Sequence, residues 1–197
     1  MTYDELENRF QAVAGLVSLD ATDKFFLLNS LNVRARDAWS RAQWPELISI
    51  DELTLSAVGQ FSKASPVVTK DILNCYDKSP WIDQTAQDVF YTLIDGRIVL
   101  DPNYPGTKLF ALVKAPFIAY TESSVDIPTF LESHLISAIL SDFFRGDGAY
   151  DKANAEEQRS EEFLLRQMDR VEKTQQQNTP LVGSYNRIQS RQIYQTT

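Results

Sequence analysis

Apolar side chains at the start of the chain recur every three or four residues, which is the spacing of an amphipathic helix. The stripe comprises Leu6, Phe10, Val13 and Val17. Thr2 and, three residues later, Glu5 have the sequence of a capping box, in which each side chain accepts a hydrogen bond from the other residue's backbone N–H. The pattern therefore predicts a first helix that begins beside Thr2 and buries this stripe.

A second helical pattern follows the break at residues 18–20. Its apolar stripe comprises Leu27, Leu28, Leu31, Ala35, Ala38 and Ala42, and its opposite side carries Arg34, Asp37 and Arg41. Either Thr22 or Asp23 is a suitable N-cap, because both side chains can accept from free backbone N–H groups. Pro45 disfavours helical geometry in the residue before it, so we expect this helix to end at Trp44 and to pair with the first.

Residues 48–125 change to short β-prone runs that are separated by Pro, Gly, Asn and Asp. Strands are predicted at residues 72–76, 89–94 and 108–113. Asp95 and Gly96 favour the positive φ angles of a type I′ turn, which predicts a hairpin between the runs on either side. Pro116 lacks a backbone N–H, so it marks either a sheet edge or the end of the third strand.

Helical periodicity returns after Pro128, a residue that suits a first helical turn. This third helix is predicted to end at Gly146 and Gly148 and to bury Leu131, Leu135, Ala138 and Ile139. A fourth helix is predicted over residues 149–177. One side of it is formed by Ala153, Ser160, Leu164, Met168 and Val171. Its other side is charged, with Glu162–Arg166 and Asp169–Lys173 pairs at spacing four.

The apolar period changes from about 3.6 to about 2 and back, which predicts an α+β fold. Helices from both chain ends, residues 1–47 and 126–177, are expected to form one bundle. Residues 48–125, which lie between the two pairs of helices, are expected to form an inserted antiparallel β subdomain. Residues 178–197 are expected to form an extended C-terminal arm.

This arm contains two Arg, no Asp or Glu, and a few spaced aromatic and aliphatic residues. It has too little apolar surface to fold alone, because ordering a backbone costs more than so few buried side chains return. A segment of this kind is typical of an arm that becomes ordered on a partner. The alternative is an inert, disordered terminus.

The chain has 197 residues, of which 43% are hydrophobic, and a net charge of −8. This composition is that of a folded protein with a sizeable core. The acidic balance provides no general basic field for a nucleic-acid backbone, so sequence-specific DNA reading is not expected. No apolar run reaches the roughly 18 residues of a membrane helix, and residues 1–4 do not resemble a signal peptide, so we expect an intracellular protein with no membrane partner.

Cys75 and His134 are the single cysteine and the single histidine, which excludes an internal disulfide and a Cys/His zinc site. Cys75 lies in a predicted strand, where a free cysteine is most often a small buried apolar residue. The alternative is a thiol–imidazole dyad with His134, but nothing in the sequence brings the two together. We therefore expect no catalytic residue, no cofactor and no metal.

Three further groups of residues have structural interpretations. A solvated helix face, rather than a di-metal site with Glu-x-x-His partners, is expected for Glu156, Glu157, Glu161 and Glu162. A calcium loop is not expected at Asp142, Asp147 and Asp151, because they lack the alternating ligands and the terminal Glu of an EF-hand. Core or subunit-interface positions, rather than base stacking, are expected for Trp39, Trp44 and Trp81.

Several segments in this order match one known arrangement. The first matching segment is the second helix, which is expected to end in a Trp and lead into the β region. Its matching residues are Leu31, Asn32, Arg34, Ala35, Trp39, Ala42, Trp44 and Pro45. Residues 72–80 (ILNCYDKSP) have the pattern of a strand and turn, and residues 108–116 that of a strand ending in proline. Residues 127–173 have the pattern of a short apolar helix, the connection GDGAYDKA and a long helix rich in Glu, Gln and Arg. This order resembles the head-to-tail adaptors of tailed bacteriophages, also called connector, head-completion or tubular tail proteins.

The resemblance implies a structural virion protein that is not an enzyme. Such adaptors form a ring, dodecameric by the family pattern, beneath the portal protein, with a tail, stopper or nozzle protein below and DNA passing through the lumen without sequence recognition. The protein would be assembled in the host cytoplasm and reside in the neck of the virion. Its C-terminal arm would insert between portal subunits through Leu181, Tyr185, Arg187, Ile188, Arg191 and Tyr194.

Two other classes remain open at this point. A different neck or tail component, such as a stopper or tail terminator, would share the absence of chemistry, although those proteins are more often dominated by β-structure. A hydrolase that depends on Cys75 and His134 is the more distant alternative.

Overall fold

The computed structural model describes residues 1–58, 62–101 and 103–178 of the chain. In these ranges the fold is α+β, with four α-helices and two antiparallel sheets. The chain divides into two compact units. The helical unit contains residues 1–42 and the described residues from 119 onward, and the β unit contains Gln43–Ile118.

Helix α1 (Tyr3–Ala14) begins as predicted, because the Thr2 and Glu5 side chains form the expected capping box. Leu6 and Phe10 are buried. The prediction for Val13 and Val17 is wrong: they are 54% and 100% exposed. The helix ends before Val17, since Gly15 adopts a left-handed conformation with φ 75°.

Helix α2 (Ala21–Arg41) differs from its prediction at both ends. Its N-cap is Asp20, not Thr22 or Asp23, and the Asp20 carboxylate accepts from the backbone N–H groups of both those residues at 2.7 and 2.8 Å. The helix ends at Arg41 instead of Trp44. Trp44 has the extended backbone that a residue before proline favours, and a short 3₁₀ turn, Pro45–Leu47, follows it.

Helices α3 (Glu132–Gly146) and α4 (Tyr150–Asn178) complete the helical unit, in which α3 contacts each of the other three helices. Pro128 lies in a turn before α3, not in its first turn as predicted, and its carbonyl accepts from the Leu131 N–H at 2.9 Å. The predicted buried stripe of α3 is confirmed. Most of the predicted α4 stripe is also buried, namely Ala153, Ser160, Leu164 and Val171.

The β unit contains seven strands among the described residues. They are β1 (Ile48–Thr54), β2 (Ser56–Val58), β3 (Ser62–Val67), β4 (Asp71–Tyr76), β5 (Thr92–Ile94), β6 (Arg97–Leu100) and β7 (Lys108–Lys114). One sheet has the order β1-β7-β4, and the other has the order β2-β3-β6-β5. All the pairs are antiparallel.

The predicted hairpin is confirmed: Asp95 and Gly96 have φ angles of 49° and 70° and connect β5 to β6. Strand β5 is shorter than its prediction, and Phe90, just before it, is 97% exposed. Pro116 follows the end of β7, which is the central strand of its sheet, so the proline marks a strand end and not a sheet edge. Residues from both sheets form the core of the unit, comprising Leu55, Cys75, Ile98, Leu100, Leu109, Ala111 and Val113.

Candidate assembly site

Cys75 lies in the core of the β unit. It is fully buried on β4, and its backbone N–H donates to the Asn74 side-chain oxygen at 2.9 Å. Burial raises the pKa of the Cys75 thiol to about 12, so the nucleophilic thiolate is strongly disfavoured at neutral pH. The environment is that of a packing residue.

His134 lies in the helical unit, where it connects α3 to α4. Its Nδ1 is 3.0 Å from the Ser160 carbonyl oxygen and 2.8 Å from the Ser160 hydroxyl, which also donates to the His134 carbonyl at 3.2 Å. The other ring nitrogen, Nε2, is buried and has no hydrogen-bond partner in the described part of the chain. Burial lowers the pKa of His134, which favours the neutral ring.

The acidic face of α4 is not the solvated surface that the sequence suggested. The guanidinium of Arg34 on α2 binds Glu157 through two contacts of 3.0 Å. Farther along the same helices, Arg41 donates to Glu161 at 2.9 Å. Two of the four glutamates thus join α4 to α2. Glu162 behaves as predicted, because it is 62% exposed and pairs with Arg166 one turn away.

Arg34 also binds Asp142 on α3, so a single guanidinium of α2 joins α2 to both α3 and α4. Its Nε donates to Asp142 at 2.9 Å, and Ser30 donates to the same carboxylate at 2.6 Å. Burial alone would raise the carboxyl pKa values of Asp142 and Glu157. Burial is the largest single influence, but the hydrogen bonds from Arg34, those from Ser30 and Ser141, and the charges of Arg34 and Arg145 together outweigh it and hold both pKa values below their ordinary ones. We call Arg34, Asp142 and Glu157 the three-helix junction.

The three tryptophans occupy different environments. Trp44 is fully buried and Trp39 is half-buried, whereas Trp81 is 69% exposed in the loop after β4. In the described ranges no cluster of His, Cys, Asp and Glu could hold a metal ion, and Asp142 is engaged by Arg34.

Large apolar side chains are exposed on both units. On the helical unit they are Val13, Val17, Phe25, Val33, Tyr150 and Leu165. On the β unit they are Val67, Trp81, Ile82, Phe90, Leu93, Ile94 and Ile118. Scattered apolar residues are normal on a protein surface, but several at one sheet edge are typical of an interaction surface. Phe90, Leu93 and Ile94 lie within five consecutive residues at the β5 edge.

The six predicted arm residues lie outside the described residues, because the description ends at Asn178. They are Leu181, Tyr185, Arg187, Ile188, Arg191 and Tyr194. Asn178 itself, which the sequence assigned to the arm, is the last residue of α4.

No protein-family model matches the chain, and no curated protein matches its sequence. None of the described helices has the combination of length and apolar character that crossing a membrane requires.

Proposed function

We propose that this chain is a head-to-tail adaptor of a tailed bacteriophage, which forms a ring beneath the portal protein and joins the capsid to the tail. The observation that carries the proposal is the order of the parts. Helices from both chain ends belong to one unit, the β unit lies between them in sequence, and α4 leads into an acid-free tail. This order resembles the adaptor arrangement.

The tail is proposed to be the arm that engages the portal. Leu181, Tyr185, Ile188 and Tyr194 would fill apolar gaps between portal subunits. Arg187 and Arg191 have no acidic residue within the tail to pair with, so they would bind carboxylates of the portal through charge-assisted hydrogen bonds. The tail would thus bind the portal both through buried apolar side chains and through arginines that can make paired hydrogen bonds to carboxylates.

The exposed apolar residues of both units support assembly with further copies and with a tail or nozzle protein below the ring. The net charge of −8 suits a conduit, because an acidic lumen would not retain DNA as it passes. The raised pKa of Cys75, together with the contact of His134 with Ser160 instead of a thiol, gives no support to a Cys-dependent hydrolase.

The first test measures assembly and attachment. Size-exclusion chromatography with light scattering should show a ring-sized particle, either alone or after mixing with portal-bearing capsids. A variant that ends at residue 179 should keep the helical content and melting temperature of the full chain but should lose attachment to those capsids.

A finer variant tests the arm's cations. Arg187→Gln with Arg191→Gln should weaken attachment strongly, whereas the matched pair Gln189→Ala with Gln192→Ala should bind as the full chain does. Undiminished binding by the shortened chain would refute the arm. Attachment to capsids that already carry an adaptor, without attachment to capsids that carry only the portal, would indicate a stopper instead.

A further inference from the structure

The edge strands of the four-stranded sheet are β5 and β2, and within residues 1–58, 62–101 and 103–178 no further strand pairs with either of them. An edge strand presents unpaired backbone groups, and proteins usually protect such edges by keeping the strand very short or with charged residues, proline or bulges. Strands β5 (Thr-Leu-Ile) and β2 (Ser-Ala-Val) are short, but neither contains a charged residue or proline that would oppose a further strand. The edge strands of the other sheet differ, since β1 contains Asp51 and Glu52 and β4 begins at Asp71.

The backbone of Leu93 is directed toward the open edge. Ile94 pairs with Arg97 across the two-residue turn, and Leu93 pairs with Ile98. Hydrogen-bonded and non-hydrogen-bonded pairs alternate along an antiparallel ladder, and the pair that closes a two-residue turn is hydrogen-bonded. The N–H and C=O of Leu93 therefore point away from β6.

The side chain of Leu93 faces the core side of the sheet but extends beyond the core. Its cross-strand neighbour Ile98 is fully buried, whereas Leu93 is 56% exposed. At the opposite edge the same face carries a small residue, in the row of Leu100, two residues along β6 from Ile98. Ala57 pairs with Lys63, which in turn pairs with the buried Leu100, so Ala57 lies on the same face and is exposed.

We infer that β5 of one copy pairs with β2 of the next copy, so that the four-stranded sheets of neighbouring subunits join edge to edge. The large Leu93 then packs over the small Ala57 of the neighbour. A contact between two different edges is head-to-tail, and such contacts close into rings or continue as filaments. The inference rests on the proposed function in taking the closed ring as the product.

A second copy is the occupant that fits this edge, because the chain carries both halves of the contact, the large Leu93 at β5 and the small Ala57 at β2. Two copies that each carry a net charge of −8 repel one another. Both edge strands are uncharged, so the copies can approach there without placing like charges opposite each other. Phe90, which is 97% exposed beside β5, extends the apolar contact. Covering an aromatic side chain buries roughly 150–250 Å² of surface.

Cysteine cross-linking tests the pairing directly. The double variant Leu93→Cys with Ala57→Cys should form, on mild oxidation, a ladder of disulfide-linked oligomers up to the ring size on a non-reducing gel. The matched control is Ile94→Cys with Ala57→Cys, because Ile94 lies on the same strand but faces the other side of the sheet. That control should remain monomeric on the gel, and native Cys75 should not interfere because it is buried.

A second pair of variants tests the edge without cross-linking. Leu93→Lys should raise the concentration needed for assembly at least tenfold, whereas Ile94→Lys, at a position of similar exposure, should change it little. Circular dichroism and thermal unfolding should show that both variants fold. Cross-linked dimers from Leu93→Cys alone would show that β5 pairs with β5, which would overturn the inference.

The outcomes separate this inference from the adaptor proposal. A ring that attaches to portal-bearing capsids but gives no 93–57 ladder would overturn the inference and leave the adaptor proposal standing. A ladder from a protein that does not attach to those capsids would support the sheet contact and overturn the adaptor proposal. A chain that stays monomeric at all concentrations and on capsids would overturn both.

Discussion

Arg34 and Glu157 face each other with both terminal guanidinium nitrogens 3.0 Å from the two carboxylate oxygens. The same guanidinium binds Asp142, so α2, α3 and α4 meet at one cation. Its planar fork permits paired contacts that a lysine ammonium cannot reproduce. Ser30 and Ser141 each donate one more hydrogen bond to these carboxylates, which helps to offset their loss of water.

Arg34→Met should lower the free energy of unfolding by about 2–4 kcal/mol, because Asp142 and Glu157 would be left partly buried without the hydrogen bonds of Arg34, and the contact of Arg145 with Glu157, at 3.9 Å, is too long to replace them. Urea denaturation measures this loss. Arg41→Met is the matched control, since its partners Asp37 and Glu161 are more exposed, and it should cost less than about 1 kcal/mol. Equal losses for the two variants would mean that the junction is no stronger than a surface ion pair.

His134→Gln should remove part of the protein's sensitivity to acid. Burial lowers the pKa of the folded His134 below its ordinary value of 6.5; the hydrogen bond with the Ser160 carbonyl and the charge of Glu161 oppose this shift, and Arg41 and Arg34 reinforce it. The unfolded chain therefore binds a proton first, and stability is lost as pH falls from about 6.5 toward the lower folded pKa.

Urea denaturation at pH 7.5 and 5.5 should show a smaller loss of stability for His134→Gln than for the unaltered protein. Acid sensitivity at still lower pH should persist in both proteins. It arises from Asp142 and Glu157, whose pKa values are lowered in the folded state and whose contribution disappears as they become protonated. An unchanged difference between pH 7.5 and 5.5 would rule out His134 as the titrating group.

Cys75→Ala should lower the free energy of unfolding by about 1–2 kcal/mol, because it removes one buried atom from a filled core. Ring assembly and attachment to capsids should be unchanged. In the unaltered protein the thiol should react with iodoacetamide only after unfolding, which mass spectrometry can follow. Rapid alkylation of the folded protein, together with hydrolytic activity that Cys75→Ala abolishes, would support the hydrolase alternative.

Gly96→Ala should destabilise the β unit by about 1 kcal/mol, since a side chain is strained at positive φ. An added Cβ would also lie 3.3 Å from the Val67 side chain. Gly146→Ala, at the end of α3, is the contrasting variant: its Cβ would meet nothing within 4 Å. It should be neutral or stabilising by a few tenths of a kcal/mol, about what replacing a helical glycine gains near a helix end. Thermal unfolding should rank the two variants in this order.

Local features were predictable from the sequence, and distant pairings were not. The Thr2–Glu5 capping box and the Asp95–Gly96 turn depend on neighbouring residues, and both form as expected. The role of Arg34 was missed because its partners lie 108 and 123 residues away in the chain.

One local signal could have improved these predictions. Glu157 and Glu161 are one helical turn apart, as are many pairs that face a neighbouring helix. Arg34 and Arg41, the arginines of α2 that bind them, are seven residues or about two turns apart, so they also lie on one side of their helix. The end of α2 was misplaced because proline restricts the preceding residue without requiring the helix to reach it. Periodicity shows which residues of an element are apolar, but tertiary packing decides which of them are buried and which stay exposed to solvent.

The division of the helical unit between the two ends of the chain determines when it can form during protein synthesis. Arg34 emerges from the ribosome early, but Asp142 and Glu157 are translated only after the whole β unit. The apolar faces of α1 and α2 therefore stay exposed while residues 43–118 are synthesised and until α3 and α4 follow. A ribosome that stalls before α4 releases a chain in which Arg34 lacks Glu157 and the core of the helical unit is incomplete, and cellular proteases can remove such a chain.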